Sequence, residues 1–213
     1  MGRNGSGKTT LLRTLIGLHA PESGRVRVLG MDAARTHPAE LARGVGYVPQ
    51  NPSSILFAET LRDELAFTLR CRDGKGGGDP EATVDALGLL HAADRCPRDL
   101  SGGERERAAL AAILVGNPRV LLLDEPTRGM DAAARVALAA LLERLRGEGV
   151  AIVMATHDVE LVAAAATRVA IIGDGQVIAD GGPRAVLSGS LSFATQVNKL
   201  YGAGHLVPRD VTG

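Results

Sequence analysis

Tryptophan is missing from this sequence, and its two Tyr and three Phe bring the aromatic share to only 2%. So few rings exclude a stacking platform for single-stranded bases. Neither sign of charge dominates, with 24 Lys plus Arg against 24 Asp plus Glu, so nothing attracts DNA or an anionic membrane surface. No nucleic-acid partner is expected. No apolar run approaches the roughly 18 residues of a membrane-crossing helix, and the opening MGRNGSGKTT lacks the apolar core of a secretory signal. Cys71 and Cys96 have no metal-like spacing and read as free thiols of a cytosolic protein. What remains is an ordinary globular composition, 45% hydrophobic over 213 residues. That length suits one domain, with room for a smaller subdomain.

Helical and strand signals alternate along the chain, the pattern of an α/β domain with a mainly parallel sheet. Residues 8–17 read as a helix and 24–29 (GRVRVL) as an alternating strand, and 45–48 forms a short strand before Pro49. From Thr60 to Val115 the signals turn helical, opening at Thr60-x-x-Asp63 with a capping pattern. The Gly-rich stretch 73–80 is a linker. Val120 to Leu123 is a continuous apolar run, as a strand buried on both faces requires. Asp131 fits the N-cap of a helix reaching about Arg146, and 150–155 forms another buried strand. Residues 168–172 and 176–179 pair around Gly173-Asp174-Gly175.

Three constellations carry chemistry. Gly2-Arg3-Asn4-Gly5-Ser6-Gly7-Lys8-Thr9 fits G-x-x-x-x-G-K-[ST]. In such a loop Gly2, Asn4, Gly5, Ser6, Gly7 and Thr10 surround phosphate oxygens with backbone N–H groups at a helix start. Lys8 reaches the terminal phosphates of a nucleotide, and the Thr9 hydroxyl serves Mg²⁺. Second, the strand ending in Asp124-Glu125 puts two carboxylates at the sheet edge, where open α/β folds bind ligands. Asp124 suits support of Mg²⁺, and Glu125 suits activation of an attacking water. Third, Ser101-Gly102-Gly103-Glu104 is a capping box whose glycines leave the first helical turn open to an anion. Taken locally, this last element is only a good helix start. Alongside the loop at residues 2–9 it becomes a second phosphate-binding surface.

LSGGERERAALAAIL followed by LLLDEPT, downstream of GRNGSGKTT, resembles the ATP-binding-cassette (ABC) ATPases over nearly the whole chain. The resemblance implies a P-loop NTPase fold with a helical subdomain, and ATP and Mg²⁺ as ligands. It also implies that two cassettes pack head to tail, so that each ATP lies between one chain's phosphate loop and the other's Ser101–Glu104 segment. Gln50 resembles the glutamine that senses Mg²⁺ and the membrane partner, and Asp131 the aspartate that crosses the dimer interface. His157 resembles the switch histidine at the γ-phosphate, which joins Glu125 as a catalytic residue. His19, His37, His91 and His205 have no such context and receive no role. The expected domain covers 1–190, with a core of 1–50 and 118–190, a helical subdomain of 51–117 and a tail of 191–213.

Residues 50–60 and the continuing LRDELAF resemble the cassettes of energy-coupling-factor importers, which take up vitamins or cobalt and nickel ions. There Leu56 and Phe57 would help line a groove for a helix of the transmembrane subunit, the alternative being ordinary subdomain core, and the chain would sit on the cytoplasmic face of the membrane. A soluble ABC protein of DNA repair or translation is the competing class. The phosphate loop begins at residue 2, so the buried strand and the adenine-stacking sheet expected ahead of it are lacking. A central strand contributes about three or four buried aliphatic side chains at roughly 1.5–3 kcal/mol each. Their sum of roughly 5–12 kcal/mol rivals the roughly 5–15 kcal/mol stability of a whole domain. Met1 is therefore expected to be an internal residue of a longer product, or the chain to be a degenerate cassette with little activity.

Overall fold

The computed structural model describes residues 1–3, 5–72, 76–188, 193–202, 205–207 and 210. Asn4, the Asp73-Gly74-Lys75 part of the linker and much of the tail lie outside them.

At the centre stands a three-stranded parallel sheet in the order β3-β4-β5, formed by Val45–Val48, Val120–Asp124 and Ala151–Ala155. The apolar run makes β4 the middle strand, with Leu121, Leu122 and Leu123 fully buried. Period-two alternation divides them. Leu122 joins Leu12 of helix α1 (Lys8–Leu15) and Val45 on one face, while Leu121 and Leu123 join Leu138 and Leu142 of α6 (Ala132–Gly147) on the other. The helices α3 (Leu61–Cys71), α4 (Pro80–Ala86) and α5 (Gly102–Leu114) pack into that second cluster through Leu65, Val84 and Leu110. Arg72 ties this helical unit to the sheet side by donating to the carbonyls of Ala42, Arg43 and Gly116.

Where the sequence suggests a strand over 24–29, only β1 (Arg27–Val28) forms, paired antiparallel with β2 (Met31–Asp32). The cause is a tight turn at Leu29-Gly30, both at positive φ (53° and 82°), a conformation that leucine rarely adopts. A short helix α2 (Pro38–Leu41), capped by the His37 ring, follows unanticipated. The hairpin β6 (Val169–Gly173) and β7 (Gln176–Gly181) turns at Asp174-Gly175, as expected. Helix α7 (Val159–Ala165) precedes it. Helices α8 (Pro183–Leu187) and α9 (Gln196–Tyr201) come after, the latter within the tail of 191–213.

The Met1 α-amino group donates to Ala170 O (2.6 Å), and Ile172 N donates to Met1 O (2.8 Å), so Met1 takes one rung alongside β6. Among the described residues the opposite edge of β5 has no strand partner, and Val153 there is 40% exposed. A groove of about 370 Å³ separates the two, lined by Met1, Ile152, Met154, Val162, Val169 and Ala170.

Candidate nucleotide site

The phosphate loop wraps the N-terminus of α1, with Gly5 and Gly7 at positive φ (81° and 95°). Gly2 is held by contact: a Cβ there would meet Ile172 O at 2.3 Å and Ser6 Oγ at 2.6 Å. Lys8 is buried and curls back, its Nζ donating to Gly2 O (2.8 Å) and Arg3 O (2.9 Å) and lying 3.9 Å from Glu125 Oε1. Thr10, two residues further on, is exposed.

Thr9 Oγ1 donates to Asp124 Oδ2 (2.7 Å), joining loop and sheet across 115 residues of sequence. Among the described residues the other oxygen, Asp124 Oδ1, is buried without a hydrogen-bond partner, as is Ser6 Oγ. An orphaned carboxylate oxygen beside a hydroxyl fits Mg²⁺, which takes one or two protein oxygens and completes its shell with water and phosphate. Tyr47, from the neighbouring strand β3, also donates to Asp124 Oδ2 at 3.5 Å. Burial and the adjacent carboxylate hold its phenol above the ordinary pKa.

Glu125 leaves β4 with φ 52°, pinned by its N–H on Ala155 O (2.7 Å). Its Oε2 lies 2.7 Å from His157 Nδ1 and accepts from Thr156 Oγ1 (3.3 Å) and His157 N (3.4 Å). Gln50, Glu125 and His157 face one cleft of about 580 Å³, which Arg128, Arg135 and Asp158 also line. Arg135 pairs with Asp158 at 3.7 Å. Tyr47, Thr156, Arg128 and Arg135 were not singled out from the sequence. For Tyr47, Thr156 and Arg128 the common signal is position, at or within a few residues of strand ends that already carried a candidate, whereas Arg135 lies on α6 four residues past Asp131.

The Ser101–Glu104 segment forms the complete capping box at the start of α5. Glu104 Oε2 accepts from Ser101 N (2.8 Å) and Ser101 Oγ (2.7 Å). The Ser101 hydroxyl first, then the His91 ring and the Ser101 N–H, pull its carboxyl down to about 2. Gly102 and Gly103 leave the turn open. Among the described residues no hydrogen bond or ion pair joins this segment to residues 1–9, and Asp131 is likewise apart, capping α6 through Ala134 N (2.7 Å). One expectation fails: Leu56 is 6% exposed and belongs to the core, so of the Leu56-Phe57 pair only Phe57, 58% exposed, faces outward.

Glu106, on α5, is 7% exposed, and burial pushes its carboxyl up to about 7 against the opposing pull of Arg128. A folded pKa above the unfolded value makes the native state favour the neutral acid. That contribution is full below about 4.5 and disappears as pH rises through 7. Glu106→Gln is therefore expected to add about 1–2 kcal/mol at pH 8, allowing for partial screening by solvent. Urea melts of both proteins should converge as the pH is lowered toward 4.5.

Residues 1–128 match the family profile described as ABC transporter. A Streptomyces avermitilis protein named as an ABC transporter ATP-binding protein is 49% identical over 96% of this chain, which spans only 36% of that relative. The chain likewise spans 35% of a Streptomyces coelicolor relative, so it covers about a third of these proteins' length. The cobalt import ATP-binding protein CbiO of Rhodobacter capsulatus is 40% identical over 91% of this chain and 71% of its own. Among solved structures, CbiO1 of Clostridium perfringens, part of the ABC transporter complex CbiONQ, superposes with a TM-score of 0.75 at 30% identity. It covers 87% of this chain and 76% of its own. The ATP-binding cassette MJ0796, dimeric with ADP and Pi in a post-hydrolysis state, gives 0.77 at 26% identity, over 86% of this chain and 83% of its own.

Proposed function

The chain belongs to the ABC transporter ATP-binding family, and from that premise we propose that it binds and hydrolyses ATP to drive a membrane importer. The observation that carries this reading is the cluster Lys8–Glu125–His157 beside Thr9–Asp124. It gathers a phosphate-binding cation, a carboxylate backed by an imidazole, and an Mg²⁺-ready oxygen pair at one sheet edge. Thr9 and Asp124, with Gln50 as a further candidate oxygen, would hold Mg²⁺, which would supply charge neutralisation at the phosphates when bound. Lys8 leaves the carbonyls of Gly2 and Arg3 for the terminal phosphate oxygens. Glu125, oriented by His157 and Thr156, accepts the proton of the attacking water.

Among the described residues no hydrogen bond or ion pair joins Ser101–Glu104 to the same chain's loop, which supports the reading that it serves the ATP of a second cassette packed head to tail. Asp131, at the exposed start of α6, meets that partner. We assign the core to 1–50 and 118–190 and the helical subdomain to 51–117.

The finer reading is an importer of the energy-coupling-factor type, with the chain peripheral on the cytoplasmic face. Two of the three phenylalanines lie together on the surface, Phe57 edge-on to Phe67 with centroids 4.8 Å apart. A groove lined by Ile16, Leu18, Ala39, Ala42, Tyr47 and Phe67 adjoins them. A helix of a membrane-spanning subunit fits such a surface. Phe57→Asp is expected to lower copurification with the membrane subunits by about tenfold, the loss of one buried aromatic anchor. Phosphate release by the isolated protein should be unaffected. Uptake of labelled cobalt, nickel or vitamins in cells lacking the gene tests the substrate class, and normal uptake of all of them would remove the finer reading.

A further inference from the structure

His91 sits in a single helical turn, Leu90–Ala92, thirteen residues before Glu104. Its backbone is anchored between Leu89 and Ala92, both fully buried, so the ring is presented from a fixed point. Nε2 lies 2.8 Å from Glu104 Oε1. The two carboxylate oxygens of Glu104 are thus divided, Oε2 on Ser101 and Oε1 on His91. Rotation of the carboxylate would break contacts at both ends.

A capping box needs only the first half of this arrangement. The second half matters for charge. Glu104 puts a carboxylate on the first turn of α5, on the surface where a triphosphate must approach, and like charge opposes that approach. The arginines that follow it are engaged elsewhere. Arg105 donates to the carbonyls of Pro97, Arg98 and Leu100, and Arg107 donates to Leu87 O. Among the described residues, His91 and Ser101 are the side chains bonded to the Glu104 carboxylate, and of the two only His91 can carry positive charge.

We infer that His91 is a positioning residue of the Ser101–Glu104 surface, holding Glu104 on the Ser101 cap and offsetting its charge toward the neighbouring chain's ATP. This rests on the reading that the surface receives that nucleotide. Without His91 the carboxylate is freed at Oε1 and uncompensated, and ATP binds the paired cassettes less tightly.

The experiment measures the ATP concentration for half-maximal dimer formation in native protein carrying Glu125→Gln, which slows hydrolysis, together with KM and kcat in the otherwise unaltered protein. His91→Ala should raise the half-point and KM by about twofold to fivefold, the range of an exposed ion pair, with kcat little changed. His91→Gln, whose neutral amide N–H can reach the same oxygen, should recover the part of the loss that is due to position and leave the part that is due to charge. With Glu104→Gln also present, His91→Ala should have no further effect, since the charge it offsets is gone. An unchanged half-point in His91→Ala, or an equal loss with and without Glu104→Gln, overturns the inference, the latter by revealing a merely structural histidine. If the Glu125→Gln parent forms no ATP-dependent dimer, the reading of the surface fails first and the inference falls with it.

Discussion

Glu125→Gln is expected to slow ATP turnover by about 10²–10⁴-fold, the usual contribution of a positioned general base, while ATP binding persists. The amide has the shape of the carboxylate and keeps an oxygen for the bonds from Thr156 Oγ1 and His157 N. It cannot take up the proton of the attacking water. The backbone at Glu125, with φ 52° and its N–H on Ala155 O, is as accessible to glutamine as to glutamate, so the turn should survive. Nothing about the phosphate loop changes, except that Lys8 loses a carboxylate 3.9 Å away. ATP should then remain uncleaved between the cassettes, and a dimer should persist on size-exclusion chromatography in Mg²⁺ and ATP. Rapid quench followed by nucleotide analysis reads the cleavage, and the chromatography reads the dimer. Turnover at the wild-type rate would remove Glu125 from the role assigned to it and leave His157 without a partner to orient.

Much of this site is written in short stretches whose geometry is local, which is why the sequence exposes it. The glycine pattern of residues 2–9, the apolar run ending in Asp124-Glu125 and the Ser101-x-x-Glu104 cap each specify a strand end or helix start without distant information. What stayed hidden depends on long-range contact or on rule-breaking backbone. Leu29 adopts positive φ in a segment that alternates like a strand, so propensity points the wrong way. Glu64 lies in the middle of a charged helical stretch, with nothing local to mark it as buried. Yet it is 2% exposed, and its Oε2 accepts from Phe57 N and Ala58 N at 2.8 Å each, fixing the loop that presents Phe57. Leu56, one residue earlier, therefore turns into the core. His91 could not be linked to Glu104 without knowing how the turn at 90–92 sits against α5. Thr156, 0% exposed, reads simply as the end of a buried strand until its hydroxyl is found on Glu125.

The proposal that Ser101–Glu104 serves the ATP held by a partner chain's loop predicts a complementation result. Lys8→Ala removes the cation of the loop but leaves Ser101–Glu104 intact, and Ser101→Arg does the reverse. In a head-to-tail dimer every site of either pure variant is defective, so each alone should hydrolyse almost no ATP. Mixed dimers combine the loop of the Ser101→Arg chain with the cap of the Lys8→Ala chain, and one of their two sites is whole. Random pairing of equal amounts makes half the dimers mixed, so independent sites would restore about a quarter of the wild-type rate. Mutual dependence of the two ATPs would lower that figure, because the defective half resists closure. A site complete within one chain could not be rescued, since each chain would still carry its own lesion. Phosphate release from the mixture above the sum of the separate variants therefore identifies the two-chain site. A mixture no better than its components would mean that Ser101–Glu104 does not act on a partner's nucleotide.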